Sequence, residues 1–174
     1  MHAFAGDPPI EETVGEQLQR GDHTVAVAET CTGGMVTALL TAIPGASEYV
    51  DRGFVPYAYD SLREQLGVTR ERLDVEGSVS APVTRELAKR ARDVADATWG
   101  IATTGVAGPD GGTPGTPVGT AYVGVSYAGS WGSEETYATV EAHEFRGDRA
   151  AVRERTSRAA LALLSEQLPD VPVR

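Results

Sequence analysis

The stretch that most constrains this chain is Val25-Ala-Val-Ala-Glu-Thr-Cys-Thr-Gly-Gly34. Val25 to Ala28 are small and apolar, as a buried strand requires, and Glu29, Thr30 and Thr32 then bring polar groups to its end. Gly33 and Gly34 relieve crowding and let the backbone approach a ligand or another element closely. From Met35 to Ile43 the residues are apolar and free of breakers, so they read as a helix closed by Pro44-Gly45. A strand feeding a glycine turn and then a helix leaves backbone N–H groups free at a helix N-terminus. Anions and developing negative charge are favoured there. Thr30 and Cys31 stand where a nucleophile would stand. The same turn also occurs in α/β proteins purely for packing.

A chain of 174 residues with 41% hydrophobic residues suits one domain with a proper core. No apolar run approaches the ~18 residues of a membrane span, and no basic, apolar leader opens the chain, so a cytoplasmic location is expected. The single cysteine excludes an internal disulfide framework and a multi-cysteine metal site. A net charge of −10 argues against nonspecific nucleic-acid binding, which needs phosphate-neutralising cations. Lys89 is the only lysine; the other basic residues are arginines. Many carboxylates with almost no lysine suit a high-salt, halophilic cytoplasm, where self-repulsion is screened. They also suit an ordinary acidic protein from a GC-rich genome.

Along the chain, residues 1–9 read as a loose tail and Ile10 to Arg20 as a short helix with Val14 and Leu18 on one stripe. Tyr49 to Tyr57 reads as a second strand. Asp60 is then placed as the cap of a helix that turns Leu62 and Leu66 inward and stops at Gly67. Thr69 to Glu76 allows about one helical turn. Ser80 is an N-cap with Pro82 behind it, and Val83, Leu87, Ala91, Val94 and Ala95 carry a helical stripe. Trp99 to Thr104 is a buried strand running into the Gly/Pro-rich loop Gly105 to Pro117. Val118 to Tyr127 and Glu134 to Phe145 form a hairpin through Ala128 to Ser133, and Gly147-Asp148 opens a last helix with an extended tail from Pro169. Helices alternating with strands, then a closing hairpin, predict one three-layer α/β/α domain with a mixed sheet.

The second functional element is the loop Thr103 to Thr113. Its Gly105, Gly108, Pro109, Gly111 and Gly112 can wrap backbone N–H groups around a phosphate or a carboxamide oxygen. Thr103, Thr104 and Thr113 add hydroxyl donors, and Asp110 suits ribose hydroxyls or solvent. Ligand crevices in open α/β sheets form beyond the carboxyl ends of strands, so this loop and the turn Thr30 to Gly34 are expected to face each other. His23 and His143 read as surface residues. No His, Cys and Asp cluster has metal-ligand spacing, so neither a metal nor a cofactor is expected.

Glu29-Thr-Cys-Thr-Gly-Gly34 resembles the Glu-Ser-Cys-Thr-Gly-Gly signature of the CinA C-terminal domain family, the nicotinamide-mononucleotide deamidases. Further matches follow in order. They are Ile43-Pro-Gly-Ala-Ser47, Gly53-Phe-Val-Pro-Tyr57, Leu66-Gly-Val68, Gly77-Ser-Val-Ser80, Thr103 to Thr113, Pro117-Val-Gly-Thr120 and Phe145-Arg-Gly-Asp-Arg149. The resemblance covers roughly residues 10–168. It implies about five strands, a nucleotide ligand such as nicotinamide mononucleotide, a homo-oligomer, and a deamidase of pyridine-nucleotide recycling. It puts ligand contacts at Thr32, Gly33 and Gly34 and in the second loop. Members of the family often carry a larger molybdopterin-cofactor-type domain ahead of this one. Arg149 matches the family arginine and reads either as a phosphate contact or as a surface salt bridge.

Deamidation needs a nucleophile at the carboxamide carbon, a base for its proton and donors for the oxyanion. The resemblance implies a serine nucleophile and a lysine base; this chain has Thr30 and Leu62 in those places. Ala58 and Tyr59 stand where the family has serine and asparagine. Thr30 keeps a hydroxyl, Leu62 cannot accept a proton, and Arg63 stays protonated. Lys89, next to Arg90 and Arg92, lies on a different helix and reads as solvated. Cys31 is either an activated thiol or a small buried hydrophobe. Tyr57 matches the family tyrosine and is expected to orient the substrate. The chain therefore reads as a nicotinamide-mononucleotide amidohydrolase, or as a nucleotide-binding module that has lost hydrolysis. A purely structural or partner-binding role is the third reading.

Overall fold

The computed structural model describes residues 3–129 and 134–168. The elements are α1 (Ile10–Arg20), β1 (Val25–Glu29), α2 (Met35–Thr41), β2 (Val50–Phe54), α3 (Tyr59–Leu66), α4 (Arg70–Glu76), α5 (Ala81–Ala95), β3 (Trp99–Gly105), β4 (Thr120–Tyr127), β5 (Tyr137–Glu144) and α6 (Arg149–Gln167). The five-stranded sheet has the order β2-β1-β3-β4-β5. β1 runs parallel to β2 and β3, while β4 and β5 are antiparallel additions.

Alternation along the strands separates two cores. Val25 and Val27 of β1 join Ile101, Val123 and Val125 on one face, under Val14 and Leu18 of α1, Val36 and Leu40 of α2 and Leu161 and Leu164 of α6. Ala26, Ala28 and Ala102 face the other way, under Leu62 and Leu66 of α3, Leu73 of α4 and Leu87, Ala88 and Ala91 of α5. The strands turn valines and isoleucine to the first face and alanines to the second, so α5 lies close on the sheet. A Cβ at Gly100 would come within 2.0 Å of the Ala88 carbonyl oxygen, so glycine is needed there.

The ends of the elements show where local rules hold. Ser80 caps α5 by accepting from the Val83 N–H at 3.4 Å, and Asp148 caps α6 by accepting from the Ala151 N–H at 2.9 Å. Asp60 does not cap α3. The N-cap is Ala58, and Asp60 sits in the first turn, paired with Arg63 at 3.2 Å. Arg70–Glu76 forms a full short helix, because Thr69 caps it, its hydroxyl accepting from the Arg72 N–H. β2 ends at Phe54 rather than Tyr57, since Pro56 has no N–H to give a ladder. Residues 3–9 are not simply loose: the Phe4 N–H donates to Glu154 and Arg155 lies over the Phe4 ring at 4.3 Å. His23 and His143 are both half-buried, and His143 stacks on Phe145. The hairpin connection at 130–133 and the tail at 169–174 lie outside the described residues. No described helix is long and apolar enough to cross a membrane.

Candidate functional site

The carboxyl ends of the three parallel strands meet at one cavity of about 300 Å³. Thr30 and Cys31 enter it from β1, Pro56 and Tyr57 from the segment after β2, and Gly105 to Gly108, Asp110 and Gly111 from the loop after β3. Tyr59 and Leu62 of α3, Ser78 and Val79 before α5, and Arg149 in the first turn of α6 complete it. The two glycine-rich loops thus face each other at one end of the sheet, as strand ends in an open α/β sheet dictate.

The turn after β1 is tied down on every side. Gly33 and Gly34 take φ of +61° and +92°, values that favour glycine. The fully buried Glu29 carboxylate accepts from the Val36 N–H at 3.0 Å, the Thr37 N–H at 2.8 Å and the Thr37 hydroxyl at 2.8 Å. This corrects the expectation of free N–H groups at the start of α2, because a side chain of the strand itself already occupies them. The Thr32 hydroxyl shares a 2.7 Å hydrogen bond with that of Thr103, and the Thr32 carbonyl accepts from Arg153 of α6 at 2.7 and 3.2 Å. Thr104 bonds Thr84 of α5 at 2.8 Å. Thr32, Thr103 and Thr104 are all fully buried, and none of them lines the cavity. Neither do Gly33, Gly34, Gly112 or Thr113.

Of the residues expected at the site, Thr30, Tyr57, Gly105, Gly108, Gly111 and Arg149 therefore come together. The Thr30 hydroxyl donates to the Thr103 carbonyl at 3.1 Å. Arg149 spans the cavity edge: one terminal nitrogen donates to the Gly108 carbonyl and the other to the Tyr57 hydroxyl, both at 2.7 Å. Among the described residues Arg149 thus meets no carboxylate, against the salt-bridge alternative. Gly105 is needed for close packing, since a Cβ there would lie 2.6 Å from the Thr120 carbonyl oxygen and 3.1 Å from Cys31 Sγ.

Pro56, Ser78, Val79, Val106 and Ala107 lie within the motifs that carry the family resemblance, yet none was singled out as a site residue. Sequence reasoning also passed over Arg153, whose partner lies 121 positions away.

Titratable side chains among the described lining residues are Cys31, Tyr57, Tyr59, Asp110 and Arg149. Burial pushes the Cys31 thiol up to about 12, so it stays protonated and poorly nucleophilic at neutral pH. The Tyr59 phenol donates to the Asp74 carboxylate of α4, and that hydrogen bond, with the neighbouring charge, raises its pKa. Leu62 is buried with α3 and offers only an alkyl wall. The arrangement presents a hydroxyl, a guanidinium and glycine backbone to a small polar ligand. Among the described residues no group of three or more His, Cys, Asp and Glu gathers to hold a metal.

A family model described as the CinA C-terminal domain matches residues 7–168. The chain is 46% identical over 159 residues to a CinA-like protein of Anaeromyxobacter sp. (strain K), covering 91% of this chain and 37% of that protein. It is 40% identical over 173 residues to a CinA-like protein of Chlorobium limicola, covering 97% of this chain and 39% of that protein. It thus spans under two fifths of the length of these curated relatives. Among crystal structures, it is similar to the competence/damage inducible protein CihA of Agrobacterium tumefaciens, with 34% identity, a TM-score of 0.84 and coverage of 94% of this chain and 97% of that one. A competence-damaged protein (CinA) superfamily protein of Escherichia coli gives 31% identity, a TM-score of 0.80 and coverage of 94% and 93%.

Proposed function

We propose a function from one premise: the chain belongs to the CinA C-terminal domain family. The cavity binds nicotinamide mononucleotide or a close analogue, with the phosphate drawn to the Arg149 guanidinium and the carboxamide end directed toward Thr30. Hydrolysis of that carboxamide is absent or residual. One observation carries this reading: the Thr30 hydroxyl already donates to the Thr103 carbonyl, and the side chain at the base position is Leu62. A carbonyl oxygen holds the hydroxyl but cannot take its proton away. A positioned base is typically worth ~10²–10⁴ in rate, and an alkyl chain supplies none of it. Arg149 stays protonated, and Cys31 is too buried to replace either partner.

A second reading, a working nicotinamide-mononucleotide amidohydrolase, is supported by Thr30 lining the cavity together with the Gly105 to Gly111 backbone, a source of oxyanion donors. Under either reading a cytoplasmic protein without a cofactor is expected, and the family resemblance implies a homo-oligomer. Calorimetric titration with nicotinamide mononucleotide, alongside ammonia release at low and molar salt, decides between them. Binding without ammonia release is expected. Turnover near the enzyme median of ~10 s⁻¹ would establish the second reading, and absence of binding would remove both.

A further inference from the structure

We propose that Tyr59 is the specificity-determining residue of this cavity, its ring face stacking on a cationic aromatic ring of the ligand. The inference rests on the nucleotide reading above and names the part of the ligand that this chain recognises. Tyr59 lines the cavity and is 39% exposed, a large aromatic surface left in water at the mouth of a pocket. Among the described residues its ring meets no other ring: the ring pairs are His23–Trp99, Trp99–Tyr127, Trp99–Tyr137, Tyr127–Tyr137 and His143–Phe145. Its position is nevertheless fixed. The hydroxyl donates to Asp74, and the Arg70 carbonyl lies 3.4 Å away, so α4 holds the phenol at its far end.

A ring anchored by its hydroxyl has little rotational freedom left to lose when a ligand stacks on it. Donation to a carboxylate also makes the phenol richer in electrons, which strengthens its attraction for a cation over the ring face. Leu62 and Val79 give the same cavity apolar surface, which suits the edge of a flat ring. A pyridinium ring joins flatness to positive charge, so a mononucleotide with a cationic base is the ligand class that fits.

Nicotinamide mononucleotide and ribose 5-phosphate serve as probes, since they share sugar and phosphate and differ in the ring. Wild-type protein is expected to bind the nucleotide about tenfold more tightly than ribose 5-phosphate, the order of one aromatic stacking contact. Tyr59→Ala should remove most of that preference and leave the Kd for ribose 5-phosphate within about twofold. Tyr59→Phe should keep the stacking but lose part of the preference through the freed ring, and Asp74→Ala should match it while leaving Tyr59 in place. A Tyr59→Ala protein that binds the nucleotide unchanged, or that weakens both probes equally, overturns the proposal. If wild type binds the two probes equally well, the stacking role falls and the phosphate site stands. If wild type binds neither, the nucleotide reading itself falls and takes this role with it.

Discussion

The turn after β1 and the loop after β3 are both glycine-rich and face the same cavity, yet they are built in opposite ways. In the turn, polar atoms are used internally: Glu29 holds the start of α2, Thr32 holds Thr103, and Arg153 holds the Thr32 carbonyl. In the loop, the Val106 N–H donates to the Thr120 carbonyl and the Gly119 N–H to the Val106 carbonyl at the base, and a small bridge between Thr113 and Thr116 closes the tip. Residues 109–115 are all exposed. Glycine in the turn permits dense internal bonding; glycine in the loop keeps backbone open to whatever enters. A glycine signature therefore does not by itself say that a segment touches a ligand.

The largest expected effect comes from putting chemistry onto the rigid partner. Thr30→Ser with Leu62→Lys should raise ammonia release from nicotinamide mononucleotide by ~10²-fold or more, because a neutral amine can take the hydroxyl proton. The apolar wall around position 62 would lower the pKa of the new amine toward a useful range. Each single change should do little, since nucleophile and base act as a unit. A double variant that folds and binds but stays silent would show that Ala58 and Tyr59 have reshaped the pocket as well.

Stability should separate the two segments next. Glu29→Ala removes the fully buried carboxylate that accepts from one buried and two part-buried donors and should lower unfolding free energy by about 3 kcal/mol in urea titrations. Gly111→Ala, at φ +90° in the open loop, should cost only about 1 kcal/mol. Similar losses at both positions would erase the distinction.

Much of the fold was legible in the sequence, and for identifiable reasons. The α1 boundaries follow from the spacing of Val14 and Leu18 and from Gly21, and the start of α5 follows from Ser80 and Pro82. These signals act over one turn of chain. The Glu29 cap escaped because its N–H partners lie seven and eight residues ahead, across a turn, instead of at the usual capping distance. Phe4 on α6 escaped because its partner is 150 residues away. At the site, the facing of the two loops was legible from strand polarity. That Thr32, Thr103 and Thr104 are directed into the protein was not, because a threonine hydroxyl reads the same whether it meets a ligand or a neighbouring threonine.

A subtler difference should appear at alkaline pH. The folded Cys31 thiol titrates near 12 against 9.0 for the free group. Folded protein therefore holds that proton longer than unfolded protein does. The stability this provides is complete below about pH 9 and is lost as pH rises from there through about 12. Cys31→Ala should flatten this part of the alkaline melting curve, whereas Gly111→Ala in the loop should leave its shape unchanged. The smallest effect is common to both segments. Screening of repulsion among 25 carboxylates set against 15 basic groups should raise Tm between low salt and molar KCl. A flat response would leave the composition as genome bias.

Arg149 and Arg153 stand one helical turn apart on α6; the first grips the Gly108 carbonyl of the open loop and the second the Thr32 carbonyl of the closed turn. Four residues of helix rise about 6 Å, so the pitch of a single helix acts as a ruler for the gap between the two segments. That ruler belongs to the last helix described in the chain. During synthesis, the strands and both glycine segments leave the ribosome before the arginines that gauge their spacing. The contacts that set the width of the cavity are therefore complete only once α6 has docked.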